Sequence, residues 1–144
     1  MSQIFFFLGI TYRQLHQYDE AVQSYQNAIQ LNHFFSDCYF NLGNIYYEQS
    51  DFAKADLCYK SSLEALEEDR KIQMYRHLDD DYSAQPQAQQ EKSQIVTCGR
   101  ICNMIAETSK EIATIDVAIK YYLKGIAFEP LFLDNIIDLS NLCY

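Results

Sequence analysis

Apolar and small residues return along this chain at steps of three and four, the spacing that sets them on one face of an α-helix. Phe5, Leu8, Gly9 and Tyr12 form a first stripe, and Ala21, Val22, Tyr25, Ala28 and Ile29 form a second. The polar segment His16-Gln17-Tyr18-Asp19 separates them, with Asp19 the expected N-cap of the second helix. Asn32 and His33 end that helix with residues that tolerate a C-terminal turn. The stretch from Ser36 to Leu66 then repeats the arrangement. Leu8 corresponds to Leu42, Gly9 to Gly43, Tyr12 to Tyr46, Ala21 to Ala55 and Tyr25 to Tyr59, all at one fixed offset. Phe5 corresponds to Tyr39 and Tyr18 to Phe52 at the same offset. A helix pair that recurs every 34 or so positions, a period of about 34 residues, is the sequence sign of a helical solenoid.

A third copy is displaced. Ala118, Tyr122, Gly125 and Pro130 repeat the second-helix pattern, and the step from Ala55 to Ala118 equals that from Tyr59 to Tyr122. That step is nearly twice the repeat period, and the extra length falls around Arg70 to Cys98. The matching first helix carries Cys102, Ile105, Ala106 and Ser109, a looser match in which Ser109 stands for Tyr12 and Tyr46. Ile72, Tyr75 and Leu78 carry the preceding helix to about Leu78, and the face through Ile95, Cys98, Cys102 and Ile105 predicts a helix from about Gln89. Between them the acidic, Pro86-broken stretch over 79–90 is expected to be a mobile loop. Ile136, Leu139 and Cys143 predict a last helix, and its ending without a second helix or polar cap suggests a piece of a longer array.

The pattern comes to about three helix pairs and a C-terminal helix in one domain. The limits are roughly 2–35, 36–69, an insert at 70–98, 99–132, and a helix at 133–144. A chain of 144 residues with 49% hydrophobic and 22% charged residues is globular. It can bury about 70% of its unfolded surface. The formal charge of −9, with its 11 basic residues scattered, argues against nucleic acid and toward basic or apolar partners. The run from Ile4 to Ile10 is too short to cross a bilayer and lacks the flanks of a signal peptide, so it is assigned to the core and no membrane is expected.

Candidate chemistry is sparse. Cys38, Cys58, Cys98, Cys102 and Cys143 include no C-x-x-C pair, and at apolar helical positions they are expected to be reduced core thiols, in a cytoplasmic setting. Cys98 and Cys102 can share a face, but two ligands without a third make a poor zinc site. Asp79-Asp80-Asp81 lacks the alternate spacing, the glycine and the distal glutamate of a calcium loop. His16, His33 and His77 adjoin no nucleophile elbow, and no Gly-rich phosphate loop is present. No catalysis, cofactor or metal is expected.

The segments F-x-x-L-G-x-x-Y…A-x-x-x-Y-x-x-A from Phe5 and Y-x-x-L-G-x-x-Y…A-x-x-x-Y from Tyr39 resemble the tetratricopeptide repeat family. Gly9 with Ala21 and Gly43 with Ala55 are small residues where helices approach closely, while Tyr12, Tyr25, Tyr46 and Tyr59 fill the wedges. The resemblance implies an all-α, right-handed superhelical solenoid of antiparallel helix pairs. It also implies a concave groove lined by the first helix of each pair. By position, that groove shows Gln3, Phe6, Ile10 and Arg13, then Asp37, Phe40, Asn41, Asn44, Tyr47 and Glu48. The third pair adds Arg100, Asn103, Glu107 and Lys110, and the last helix adds Asp134 and Asp138.

Repeats of this family that grip chaperone C-terminal carboxylates resemble one another in a clamp of Lys, Asn and Arg. Here Phe6 and Ile10 replace its first-helix donors and Met104 one of the last cations, although Asn41 and Arg100 fit. A carboxylate needs charge-assisted donors, which argues against a chaperone tail. The expected function is a non-catalytic scaffold or adaptor holding a protein or peptide in the groove. One alternative is a piece of the substrate-recognition arm of a larger intracellular enzyme such as a glycosyltransferase; flanking sequence without a catalytic domain would remove it. A structural subunit of a large assembly is the other, for which sedimentation should show self-association.

Overall fold

In the computed structural model residues 1–79, 87–128, 137, 140 and 141 are described, and among them the chain forms six helices and no strand. They are α1 (Ser2–Gln14), α2 (Tyr18–Leu31), α3 (Ser36–Glu48), α4 (Phe52–Asp79), α5 (Gln87–Glu111) and α6 (Ile115–Phe128). The two prolonged helices expected to run into 70–98 are present: α4 is 28 residues long and α5 is 25. Of the loop expected over 79–90, Asp79 and 87–90 are helical instead, and 80–86 lie outside the described residues, as do Pro130 and most of the expected C-terminal helix, with Asp134, Asp138 and Cys143.

The link inside each pair is one turn built three times. His16, Ser50 and Ala113 adopt left-handed backbone, with φ of 58°, 61° and 63°. The next amide reaches back along the chain in the same way each time: Gln17 N–H donates to Tyr12 O, Asp51 to Tyr46 and Thr114 to Ser109, all at 2.9 Å. These bonds satisfy carbonyls that the helix end would otherwise orphan. The cap expected at Asp19 does not form. The residue before α2 is Gln17, which makes no side-chain cap, and Asp19 lies inside the first turn, where it meets only the positive end of the helix. The counterpart of Gln17 at the start of α4, Asp51, does cap, accepting the Lys54 amide at 3.3 Å.

The chain packs as two compact units, Met1–Ala65 and Leu66–Tyr144. In the first, Ala21, Tyr25 and Ala28 of α2 meet Cys38, Leu42 and Ile45 of α3, with Phe5, Phe6, Ile10 and Tyr12 of α1 packed against them. Fully burying each large side chain contributes about 1.5–3 kcal/mol. The expected close approaches occur, but the group against each glycine is a ring rather than the alanine. A Cβ on Gly9 would lie 2.6 Å from Tyr25 Cε1, and one on Gly43 2.5 Å from Tyr59 Cε1. The apolar run from Ile4 to Ile10 is core only in part: Gly9 is buried and Phe5, Phe6 and Ile10 half-buried, but Ile4, Phe7 and Leu8 are exposed.

In the second unit Ala106 of α5 packs with Ala118 and Tyr122 of α6. All four residues of the looser third copy, Cys102, Ile105, Ala106 and Ser109, are buried, so the register read from Ala118 and Tyr122 holds. A pair between Lys124 and Glu67 at 2.9 Å joins α6 to α4. Across the chain Cys38, Cys98 and Cys102 are buried free thiols, and Cys58 is half-buried and free. Burial pushes Cys38 and Cys102 up to about 12 and Cys58 up to about 11, which keeps them protonated and poorly nucleophilic.

Candidate functional site

Short turns bring α1 and α3 to the same side of α2, and α2 supplies the floor. Near the C-terminal ends of α1 and α3 a cleft of about 290 Å³ opens. It is lined by Ile10, Arg13, Gln14, His16, Tyr18, Tyr25, Asn41 and Glu48. Arg13 bridges the two helices, donating to Asn41 Oδ1 at 3.4 Å and pairing with the Glu48 carboxylate. Asn41 in turn donates from Nδ2 to Asp37 O at 2.8 Å, which fixes the direction of its amide. Arg13 and Glu48 remain 31% and 41% exposed, so their pairing contributes little, about 0–1 kcal/mol. The pair can rearrange around an incoming group at small cost.

The floor carries a second polar feature. Tyr25 is fully buried, and its hydroxyl has no hydrogen-bond partner. Burial pushes it up to about 12, the nearby Arg13 opposing weakly, so at neutral pH it is an O–H donor.

The groove residues expected from sequence divide into four groups. Ile10, Arg13, Asn41 and Glu48 come together in the cleft. Phe6, Phe40 and Tyr47 are half-buried and held by rings: Phe6 by Phe35 at 4.9 Å, Phe40 by Tyr59 at 5.6 Å and Tyr47 by Phe52 at 5.3 Å. Asn44 accepts the Tyr59 hydroxyl at 2.8 Å, while Asp37 is exposed in the first turn of α3. Asn103 and Glu107 belong to the second unit. Asn103 is half-buried with its Oδ1 enclosed and unpaired. Glu107 accepts the Tyr122 hydroxyl and pairs with Lys110 at 3.3 Å.

Sequence reasoning missed Phe7, Gln14, His16, Tyr18 and Tyr25. Phe7 was legible: it holds the repeat position that Asn41 fills in the second copy, and it is 63% exposed, its ring 5.5 Å from Phe6. Tyr25 reads from the sequence only as a wedge between helices. Among the described residues no cluster of three or more His, Cys, Asp or Glu is arranged to hold a metal, and no helix is long and apolar enough to cross a membrane.

Two repeat models match the sequence, one described as a TPR repeat over residues 9–50 and one as a tetratricopeptide repeat over residues 36–68. No curated protein matches it. Among solved structures, the N-terminal domain of stress-induced protein-1 (STI-1) from C. elegans superposes with a TM-score of 0.78 at 13% identity, covering 99% of this chain and 94% of that one. The first TPR of Spaghetti (RPAP3), bound to the HSP90 peptide SRMEEVD, gives a TM-score of 0.69 at 13% identity over 99% of this chain and 90% of that one. MamA gives 0.65 at 19% identity over 90% of this chain and 58% of that one. At these identities the superpositions establish the fold, an all-α helical repeat solenoid. The family rests on the matched repeats themselves, with their common register and their glycine-against-tyrosine crossings. Over residues 9–68 the chain therefore carries repeats of the tetratricopeptide repeat family.

Proposed function

We propose that this chain is a non-catalytic scaffold, and that the α1–α3 face of its first unit binds a segment of a partner protein. The observation that carries the reading is the cleft holding Arg13, Asn41 and Glu48 on a face that also exposes Phe7. Charged and amide groups orient a peptide backbone, and an exposed aromatic supplies the apolar anchor from which interfaces draw much of their affinity. The comparisons support a peptide as the class of partner, since one neighbour is a complex with an HSP90 peptide. They lend no support to excluding chaperone tails. That exclusion rests on Phe6 and Ile10 alone in this unit, so the peptide SRMEEVD belongs in the test. Protonated buried thiols support the reading as non-catalytic and fit a reducing compartment such as the cytoplasm.

Selection of ten-residue peptides from a displayed library, with SRMEEVD added, tests the face. The double variant Phe7→Ala, Arg13→Ala should weaken the selected peptides at least tenfold while keeping the helical circular dichroism. Unchanged affinity would place binding elsewhere.

The division into repeats at about 2–35, 36–69 and 99–132 with an insert at 70–98 is also our proposal. It is supported by the turn recurring at His16, Ser50 and Ala113.

A further inference from the structure

The second helix of each repeat buries a tyrosine whose hydroxyl points back at the first helix. In the second repeat Tyr59 donates to the carboxamide oxygen of Asn44 at 2.8 Å. In the third, Tyr122 donates to the Glu107 carboxylate, at the same sequence separation. In the first repeat the residue at that separation before Tyr25 is Ile10, which has no acceptor. The Tyr25 hydroxyl is therefore buried and unpartnered, and Tyr25 lines the cleft with Arg13, Asn41 and Glu48. A buried hydroxyl without an acceptor is unfavourable, and a ligand oxygen arriving there would relieve that cost.

We propose that this cleft receives a side-chain carboxamide, that of an asparagine or glutamine in the bound segment, whose oxygen accepts the Tyr25 hydroxyl. The second repeat shows the chemistry with its own Asn44 carboxamide. A carboxamide is both acceptor and donor, and the cleft offers both complements: the Tyr25 O–H and Arg13 N–H groups, and the Glu48 carboxylate with Asn41 Oδ1. A carboxylate would meet Glu48 on a chain of net charge −9, and an apolar group would leave the hydroxyl unpaired. The assignment rests on the binding face proposed above and names what one pocket of it selects.

Titration of the isotope-labelled chain with Ac-Gly-Gln-Gly-NH2, against Ac-Gly-Glu-Gly-NH2 and Ac-Gly-Leu-Gly-NH2, tests it by the NMR shifts of the Tyr25 ring and Arg13 Nε. The glutamine peptide should saturate at least fivefold tighter than the other two. Ile10→Asn, which supplies an internal acceptor, and Tyr25→Phe should each erase that preference. Tyr25→Phe keeps the ring against Gly9 and carries the test should Ile10→Asn fail to fold. A glutamate or leucine peptide that binds as well, absence of saturable shifts, or a preference surviving in Tyr25→Phe would overturn the assignment. If library peptides still bind through Phe7 and Arg13 without carboxamide preference, the pocket assignment falls and the binding face stands. If no peptide binds at all, the face itself is wrong.

Discussion

Tyr25 and Tyr59 occupy the same repeat position, with the same burial and the same glycine beneath the ring, yet their hydroxyls differ in what they meet. Removing the Tyr59 hydroxyl breaks a bond to Asn44, so Tyr59→Phe should lower stability by about 1 kcal/mol. Tyr25→Phe has no bond to lose and should be neutral or stabilising by up to about 1 kcal/mol in the same urea titration. Equal losses in both would mean that the Tyr25 hydroxyl is satisfied after all. The glycines under these rings are equally testable. Gly43→Ala gains about 1 kcal/mol of helix propensity, but its Cβ would sit 2.5 Å from the Tyr59 ring. Overpacking of that kind costs about 1–3 kcal/mol. The balance is an expected net loss of about 1 kcal/mol in thermal or urea unfolding. Gly9, Gly43, Tyr25 and Tyr59 were all legible in the sequence, because packing residues must recur in step. What could not be read was the missing partner of Tyr25. Ile10 is visible at the position of Asn44 and Glu107, but nothing in the letters says that those two accept hydrogen bonds from buried tyrosines.

At the scale of the element, the turns were the least legible feature. Left-handed backbone is usually announced by glycine or asparagine, whereas His16, Ser50 and Ala113 share no chemistry. The three are alike only in their hydrogen bonding, which depends on the two helices already being paired. Each non-glycine residue there carries strain of about 1–2 kcal/mol, partly offset by the freedom that glycine would add to the unfolded chain. Ala113→Gly should therefore stabilise by about 0.5–1 kcal/mol, read as a higher unfolding midpoint. A loss would show that the Ala113 methyl contributes packing. Misplacing the α2 cap at Asp19 has the same origin, since the turn dictates that the residue after the left-handed one comes just before the helix. The register of the third copy was legible despite its weak letters, because Ala118 and Tyr122 fix the spacing and Cys102, Ile105 and Ala106 need only be small or apolar.

For the molecule as a whole, the buried acids set an alkaline limit. Free thiols ordinarily ionise near 9 and tyrosines near 10. In the fold Cys38 and Cys102 are held up to about 12, Cys58 up to about 11, Tyr25 up to about 12 and Tyr59 higher still, all chiefly by burial. These groups favour the folded, protonated state below pH 9. Above it the unfolded chain releases protons that the folded chain keeps, so stability falls as pH rises. Circular dichroism should record unfolding with a midpoint between about pH 9 and pH 11, and Cys38→Ala should move it upward. A midpoint unaffected by that substitution would assign alkaline unfolding to other groups. The proposed division into repeats is tested at this scale as well. Excision of positions 70–98 should restore a regular repeat spacing and leave a cooperatively melting helical protein; a chain without helical dichroism would reject the limits.

The turn bonds from Gln17 to Tyr12, Asp51 to Tyr46 and Thr114 to Ser109 extend protection through the bend itself. Loops ordinarily trade their amide hydrogens with deuterated solvent first. Here each bend keeps an amide engaged, so that amide opens only when its helix pair opens. Deuterium uptake thus treats two helices and their corner as one slab, and a mass-spectrometric map counts slabs rather than helices.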